Sequence, residues 1–182
     1  MKKTYQNASL IMLLFALILF GACKKNKVVQ PANDSFLPMQ IGNLWYLNGE
    51  NYTEIKDTVR INNKLFYKFF SLIGGDAFSV SYLRIDEQTR LVESYPTSPL
   101  KTYIHANFNA NVGYKFFTTG DMEYNDSEVT VVQKSNTEMT FSIDAVYHPN
   151  LKGNPHLVKY IKGKGYPGNW KKVIINGVVY QN

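Results

Sequence analysis

Apolar and polar residues alternate along much of the chain after residue 36, which is the pattern of half-buried β-strands. The clearest case is residues 52–61, where the pattern predicts one mainly aliphatic face and one polar face. The two sets are Ile55, Asp57, Val59 and Ile61 against Lys56, Thr58 and Arg60. Such a strand is expected in an antiparallel sheet with one buried face.

Turn signals separate the alternating segments at short intervals. Asn62-Asn63 and Asn176-Gly177 predict tight hairpin turns, because Asn and Gly tolerate positive φ. Gly74-Gly75 and residues 86–89 also predict turns, and Pro96 and Pro99 are expected to bracket a loop. The predicted strands are residues 44–47, 52–61, 65–70, 77–85, 90–95, 103–108, 114–118, 129–133, 139–147, 157–161, 170–175 and 178–180.

The strand pattern predicts an all-β fold. No window of about 11 to 18 residues beyond the leading segment has helical periodicity, and about 10 to 12 short strands at this spacing are typical of barrels and sandwiches. We expect a single antiparallel sheet curled into a barrel or half-barrel, with a sandwich as the alternative. One short helix is allowed for, near residues 38–42 or in a long loop.

The first residues follow a different pattern. Lys2 and Lys3 precede an uncharged stretch whose most apolar part, residues 10–20, is 11 residues long. This length suits a secretory signal and is shorter than the roughly 20 residues that a spanning helix needs. Small residues and Cys23 follow directly. The alternative is an uncleaved anchor helix over residues 8–22.

The arrangement of basic start, apolar stretch, small residues and Cys23 resembles the lipobox of bacterial lipoproteins. In that family the cysteine thiol takes a diacylglyceryl group, the signal is cut before the cysteine, and the new amino terminus is acylated, commonly with palmitate. The resemblance implies a signal peptide over residues 1–22, a lipidated flexible tether over 23–35 and one β domain over 36–182. Several acyl chains together hold a protein stably on a bilayer.

The residues after Cys23 bear on location. Lys24, Lys25 and Lys27 are basic, whereas acidic residues at these positions resemble a surface-export signal in one group of Gram-negative bacteria. We therefore expect a lipid-anchored protein of the cell envelope, held at the outer membrane and facing the periplasm.

Composition narrows the possible functions. The chain has 182 residues, a net charge of +6 and one cysteine, so no disulfide supports the domain and acylation would explain the lone thiol. Basic residues are scattered singly instead of forming a stripe, which argues against nucleic acid as a partner. The 13 Tyr, 11 Phe and 2 Trp indicate a β-rich core, with an aromatic-lined ligand surface as the alternative.

The opening of the β domain also carries a family likeness. Residues 36–45, FLPMQIGNLW, resemble the F-x-P-x-x-x-G-N-x-W opening of small secreted lipoproteins of Bacteroidetes. The segments DTVRIN at 57–62, YLRIDE at 82–87 and KGKG at 162–165 are similar to the same group. That group is mostly of unassigned function, so the resemblance implies an antiparallel β fold and an envelope location.

No catalytic, cofactor-binding or metal-ligating residue is assigned. His148 and His156 are too far apart for a tight zinc motif, and His105 is distant from both. No G-x-S-x-G motif is present, and the paired carboxylates Asp86-Glu87 and Asp121/Glu123 are interpreted as solvated turn residues.

Three functions therefore stay open. The first is a non-enzymatic envelope lipoprotein that binds a small apolar ligand or a partner protein on a curved sheet. The second is an accessory or structural module that acts through surface contacts and has no pocket. The third, least favoured, is an envelope hydrolase.

Overall fold

Twelve β-strands and no helix are present in the computed structural model, which describes residues 34–47, 50–165 and 168–181. The predicted signal peptide, Cys23 and nearly all of the predicted tether lie outside the described residues. The strands are β1 Leu44–Tyr46, β2 Tyr52–Ile61, β3 Lys64–Ile73, β4 Ala77–Ile85, β5 Arg90–Tyr95, β6 Ser98–Asn107, β7 Lys115–Phe117, β8 Glu128–Lys134, β9 Glu138–Asp144, β10 His156–Ile161, β11 Lys172–Ile175 and β12 Val178–Gln181. The all-β prediction is confirmed for this part of the chain.

The strands form two antiparallel sheets, not the single curled sheet that the pattern predicted. The larger sheet has eight strands in the order β12-β11-β1-β2-β3-β4-β5-β6, and the smaller has four in the order β10-β9-β8-β7. Neither sheet closes into a barrel. The division arises because β7 pairs with β8 instead of continuing the ladder beyond β6, while β11 returns to pair with β1.

One main core is shared by the two sheets, and we call the face of the eight-stranded sheet that contributes to it the inner face. Trp45 and Phe69 of the larger sheet and Phe141 of the smaller one are fully buried there. Phe108, just after β6, contacts the rings of Phe141 and Tyr160 at centroid distances of 6.2 and 5.1 Å. Edge-to-face packing of this kind adds to the stabilisation that burial supplies.

A bulge at Lys56 interrupts the alternation that was predicted for β2. Ile55 pairs with one residue of β3 and Asp57 with the next, so Lys56 has no partner in the register. One extra residue reverses the face of every side chain that follows it. Ile55 therefore lies in the main core, whereas Val59 and Ile61 lie on the opposite, outer face.

A second irregularity has the same effect in β6. Leu91 pairs with Ala106 and Val92 with Ile104, so His105 is the extra residue. Leu91 and Ala106 belong to the main core, while Val92 and Ile104 belong to a small cluster on the outer face. The two irregularities thus supply apolar side chains to both faces of one sheet.

The hairpin turns are confirmed, since Asn62, Asn63, Asn176 and Gly177 all have positive φ. The expected loop between the two prolines is wrong in part, because β6 begins at Ser98 and includes Pro99. Proline has no N–H for a ladder bond, and β6 tolerates it because it is the edge strand of its sheet.

Deleting Lys56 should lower the free energy of unfolding by about 2 to 5 kcal/mol, the range for removing a large aliphatic side chain from a core. Without the extra residue, either Ile55 leaves the main core or Ile61 leaves the outer face. The measurement is chemical denaturation followed by tryptophan fluorescence, since Trp45 and Trp170 are buried.

Lys56→Ala is the matched control for this deletion, because it keeps the bulge. It removes a 3.7 Å ion pair with Glu54 and a contact with the Phe70 ring, which should cost about 1 kcal/mol or less. If the deletion lowers the free energy of unfolding no more than this substitution does, the bulge does not determine which face the side chains of β2 occupy.

Candidate functional site

The outer face of the eight-stranded sheet carries a cleft of about 310 Å³, which we call the Arg84 cleft. Its walls and floor come from β2 to β6 and from the two residues that follow β7. The residues that line it are Ile61, Asn62, Lys64, Phe66, Arg84, Asp86, Arg90, Val92, Ser94, Pro99, Thr102, Ile104, Thr118 and Thr119.

Four neighbouring strands contribute one residue each to the floor. Val92 of β5 pairs with Arg84 of β4 and with Ile104 of β6. Phe66 of β3 lies on the other side of Arg84, with its ring centroid 5.6 Å from the guanidinium carbon. Phe66 and Val92 are buried, so the floor is an apolar surface with one arginine set into it.

Arg84 is 9% exposed, which is unusual for an arginine. Its Nη1 and Nη2 donate to the carboxylate of Glu87 at 3.2 and 3.5 Å, and the Glu87 side chain is largely exposed. Its Nε is buried and has no hydrogen-bond partner within the described residues. The protein therefore satisfies this guanidinium only in part.

The turn between β4 and β5 is built around Asp86. Its carboxylate accepts hydrogen bonds from the backbone N–H groups of Gln88 and Arg90, and from Nε of Arg90 at 2.8 Å. Burial raises the pKa of Asp86, but the hydrogen bonds and the charge of Arg90 outweigh it, and the pKa lies below its usual value. Asp86 thus holds Arg90 at the edge of the cleft.

One wall is positioned by Asp126, which is 0% exposed. Its carboxylate accepts hydrogen bonds from the Thr118 hydroxyl at 3.0 Å and from the N–H of Thr119 at 2.8 Å and of Met122 at 3.1 Å. Burial raises the pKa of Asp126, but the backbone hydrogen bonds and the Thr118 hydroxyl outweigh it and lower the pKa overall. The buried carboxylate fixes the loop that follows β7.

Two hydrogen bonds close the sides of the cleft. Asn62, in the β2–β3 turn, donates from Nδ2 to the carbonyl of Pro99 at 2.8 Å. The N–H of Ile104 donates to the carbonyl of Thr118 at 2.8 Å. The first bond joins the tip of one hairpin to β6, and the second joins β6 to the wall that Asp126 positions.

The arrangement suits binding better than acid–base chemistry. Asp86 is buried in an ion pair with Arg90, so this carboxylate is not available as a general base. The remaining groups are an apolar floor, guanidinium and lysine cations and threonine hydroxyls. Apolar surface with a few polar groups is the usual composition of a small-molecule site.

His105 belongs to a separate network with Glu93 and Tyr95. Glu93 accepts hydrogen bonds from the Tyr95 hydroxyl at 2.5 Å and from Nε2 of His105 at 2.7 Å. Burial raises the pKa of Glu93, but these hydrogen bonds outweigh it, and the carboxyl is ionised at neutral pH. Burial and the bond to Glu93 raise the pKa of Tyr95. No serine, threonine or cysteine among the described residues pairs with this imidazole, so the network is a set of hydrogen bonds without a nucleophile.

The other residues weighed in the sequence lie apart from the Arg84 cleft. His148 accepts a hydrogen bond from the N–H of Asn150, and His156 is exposed at the start of β10. Asp121 and Glu123 are exposed, as predicted. Of the Asp86-Glu87 pair, Glu87 is exposed as predicted, but the interpretation of Asp86 as solvated is wrong, because Asp86 is buried under Arg90.

The role of Arg84 was not predicted from the sequence, although the residue lies in the segment 82–87 that carries part of the family resemblance. In an alternating strand an arginine is expected to face solvent, and only the cross-strand neighbours show that it faces the apolar cluster. The sequence does contain one signal of this arrangement. Leu91 and Val92 are adjacent apolar residues of β5, and adjacent residues of a strand point to opposite faces, which indicates that both faces are buried there.

Residues 34–47, 50–165 and 168–181 contain no helix long and apolar enough to cross a membrane. They also contain no group of three or more His, Cys, Asp or Glu side chains placed to hold a metal ion.

Comparison with known proteins finds no match to a family model, a curated protein or a solved structure. Any function proposed for the protein therefore rests on the chemistry of the sequence and the geometry of the cleft.

Asp126→Asn should lower the free energy of unfolding by about 1 to 3 kcal/mol at neutral pH, because buried N–H donors lose a charged acceptor. The pKa of Asp126 is lowered in the folded state, so its contribution is present above the unfolded value of about 3.9 and is lost as the pH falls through the folded value. The difference between the two proteins should therefore narrow below about pH 4.

The test of this prediction is denaturant unfolding of both proteins across that pH range. Asp76→Asn, at an exposed turn position between β3 and β4, is the control and should change little. If the free energies of unfolding of the wild type and Asp126→Asn differ by the same amount down to about pH 2, the ionised carboxylate is not what holds the loop.

Proposed function

We propose that the protein is a lipid-anchored envelope lipoprotein that binds a small ligand in the Arg84 cleft. The anchor rests on the sequence, where a basic start, a short apolar stretch and small residues lead to the single cysteine, Cys23. The binding function rests on one observation, the cleft on the outer face with its apolar floor and the partly satisfied guanidinium of Arg84.

The proposed membrane attachment rests on Cys23 and the basic residues that follow it. Acyl chains on Cys23 would hold the chain on the bilayer, and Lys24, Lys25 and Lys27 would add attraction to anionic headgroups. The same basic residues support the periplasmic face of the outer membrane as the location. The β domain would then present its cleft to small molecules of the periplasm.

The size and lining of the cleft favour a small molecule. A volume of about 310 Å³ is at the lower end of the range for ligand sites. The buried floor formed by Phe66 and Val92 would cover an apolar body, as the sequence-based hypothesis of a hydrophobic ligand requires.

A second candidate function is contact with an envelope protein through an aromatic ladder on the larger sheet. The rings of Tyr46, Tyr52, Phe70 and Phe78 follow one another at centroid distances of 6.2, 6.2 and 5.5 Å. Phe78 is 65% exposed at the end of the ladder. Cross-strand aromatic pairs also stabilise a sheet by themselves, so this surface supports the second candidate less strongly than the cleft supports the first.

Cys23→Ala should release the protein from the membrane fraction or leave it uncut, because no thiol is left to acylate. Fractionation and intact-mass measurement would detect the change, and Asn33→Ala, in the same predicted tether, should remain acylated and attached. A Cys23→Ala protein that stays membrane-bound at unchanged mass, apart from the substitution, would favour the uncleaved anchor helix over residues 8–22.

Thr102→Trp should remove any small molecule that co-purifies with the wild-type chain, because an indole at this exposed position would fill the cleft. The measurement is mass spectrometry of an extract of the purified protein, with Ser79→Trp, an exposed position of β4 outside the cleft, as control. If the extracts of wild type and Thr102→Trp contain the same small molecules, binding in the cleft is contradicted and the surface-contact function is favoured.

A further inference from the structure

We propose that the Arg84 cleft recognises small organic acids. Arg84 and Arg90 would bind the carboxylate, and Phe66, Val92 and Ile104 would cover the apolar body. This inference rests on the proposed binding function and specifies the ligand class of the same site.

The first argument is the state of Arg84. Placing a guanidinium on an apolar floor is costly unless its donors are paired. Arg84 is about nine-tenths buried, its Nε is buried without a partner in the described chain, and it has only the Glu87 carboxylate as acceptor. A structural arginine would be expected to have a fuller set of acceptors, so the position is better explained by a ligand.

The second argument is the weakness of the Glu87 pair. Charge-assisted bonds between guanidinium and carboxylate are usually about 2.7 to 2.9 Å long, whereas those from Arg84 measure 3.2 and 3.5 Å. The Glu87 side chain is 79% exposed, and exposed ion pairs contribute little. Glu87 thus shows that a carboxylate fits the fork of Arg84, and an incoming carboxylate would replace it at small cost.

The third argument is the second arginine beside the first. Asp86 pairs with Nε and Nη2 of Arg90, which leaves Nη1 without a partner in the described chain. Arg90 lies diagonally across from Arg84 on the neighbouring strand and on the same face of the sheet, within reach of a long side chain. Two guanidinium groups with unused donors therefore border one apolar floor.

The apolar floor favours an organic carboxylate over free phosphate. Phe66 and Val92 are buried in it, and an apolar body covers such a surface, whereas a phosphate ion would lose water beside it. A carboxylate that displaces Glu87 replaces one carboxylate at Arg84 by another, so the net charge around the guanidinium stays the same.

The test compares two probes of the same shape, 4-fluorobenzoate and neutral 4-fluorobenzamide, by fluorine NMR of the full chain in detergent micelles. We expect the acid to bind about tenfold or more tightly than the amide, because only the acid forms charge-assisted bonds. Inorganic phosphate is the competitor that carries charge without an apolar body, and it should displace the acid poorly.

Single substitutions show which residues produce the preference for the acid over the amide. Arg84→Gln should weaken binding of the acid by roughly tenfold or more and leave the amide unchanged. Lys68→Gln removes one positive charge from the same face outside the cleft and should change acid binding by less than about twofold. Glu87→Gln should tighten acid binding by roughly two- to fivefold, because it removes the competing carboxylate. This last variant alters an exposed side chain and serves as the test if Arg84→Gln fails to fold.

The outcomes separate the two proposals. Equal binding of acid and amide, with no effect of Arg84→Gln or Glu87→Gln, would overturn the organic-acid assignment and leave a binding cleft for neutral ligands. Displacement by phosphate at the same concentration as by unlabelled benzoate would overturn it in favour of a simple anion site. Absence of binding by either probe would overturn both the assignment and the proposed function of the cleft.

Discussion

Strands β2 to β6 contribute apolar side chains to both faces of the larger sheet, and the extra residue at Lys56 makes this possible in β2. Before the bulge, Ile55 completes the main core between the sheets; after it, Ile61 lies on the outer face. Without such a shift, strict alternation would commit every aliphatic side chain of the strand to one face. The shift at His105 does the same for β6. The main core and the Arg84 cleft therefore depend on the same feature of the backbone.

The apolar cluster on the outer face is small, and Arg84 packs against it. Ile61, Phe66 and Val92 are its buried members, with three further side chains packed at its border. Replacing a buried ion pair by apolar residues is often neutral or stabilising, so stability alone does not require Arg84 at the centre of this cluster. The proposed binding function rests on this cation, which lies where an aliphatic residue would pack better.

Rigid supports surround that cation. Asp86 fixes the turn that carries Glu87 and Arg90, and the fully buried Asp126 fixes the wall beside them. Buried carboxylates that collect backbone N–H groups hold loops in one geometry, and a binding site gains affinity when its groups are already placed. The Glu87 carboxylate is exposed and pairs with Arg84 at 3.2 Å, and a ligand that binds the Arg84 guanidinium would have to displace it.

Much of the fold could be predicted from the sequence, because strand positions depend on local alternation and on turn residues. The bounds of β2, β4 and β5 agree with the prediction, and the Asn-Asn and Asn-Gly turns form as expected. The division into two sheets could not be predicted, since the pairing of β11 with β1 joins residues far apart in the chain. The bulge at Lys56 was hidden because a polar residue fits both a regular strand and a bulge. The cleft was hidden for the same reason, as Arg84 looks like an ordinary solvent-facing position.

The Nε–H group of the buried Arg84 guanidinium has no acceptor among the described residues, and a bound ligand would supply one. The most direct measurement is the NMR signal of the Arg84 Nε–H group in the full chain, assigned through Arg84→Gln. The account predicts slow exchange of this proton with water and a downfield shift when an organic acid such as benzoate is added. Exchange as fast as that of the exposed Arg60, with no response to the acid, would contradict it.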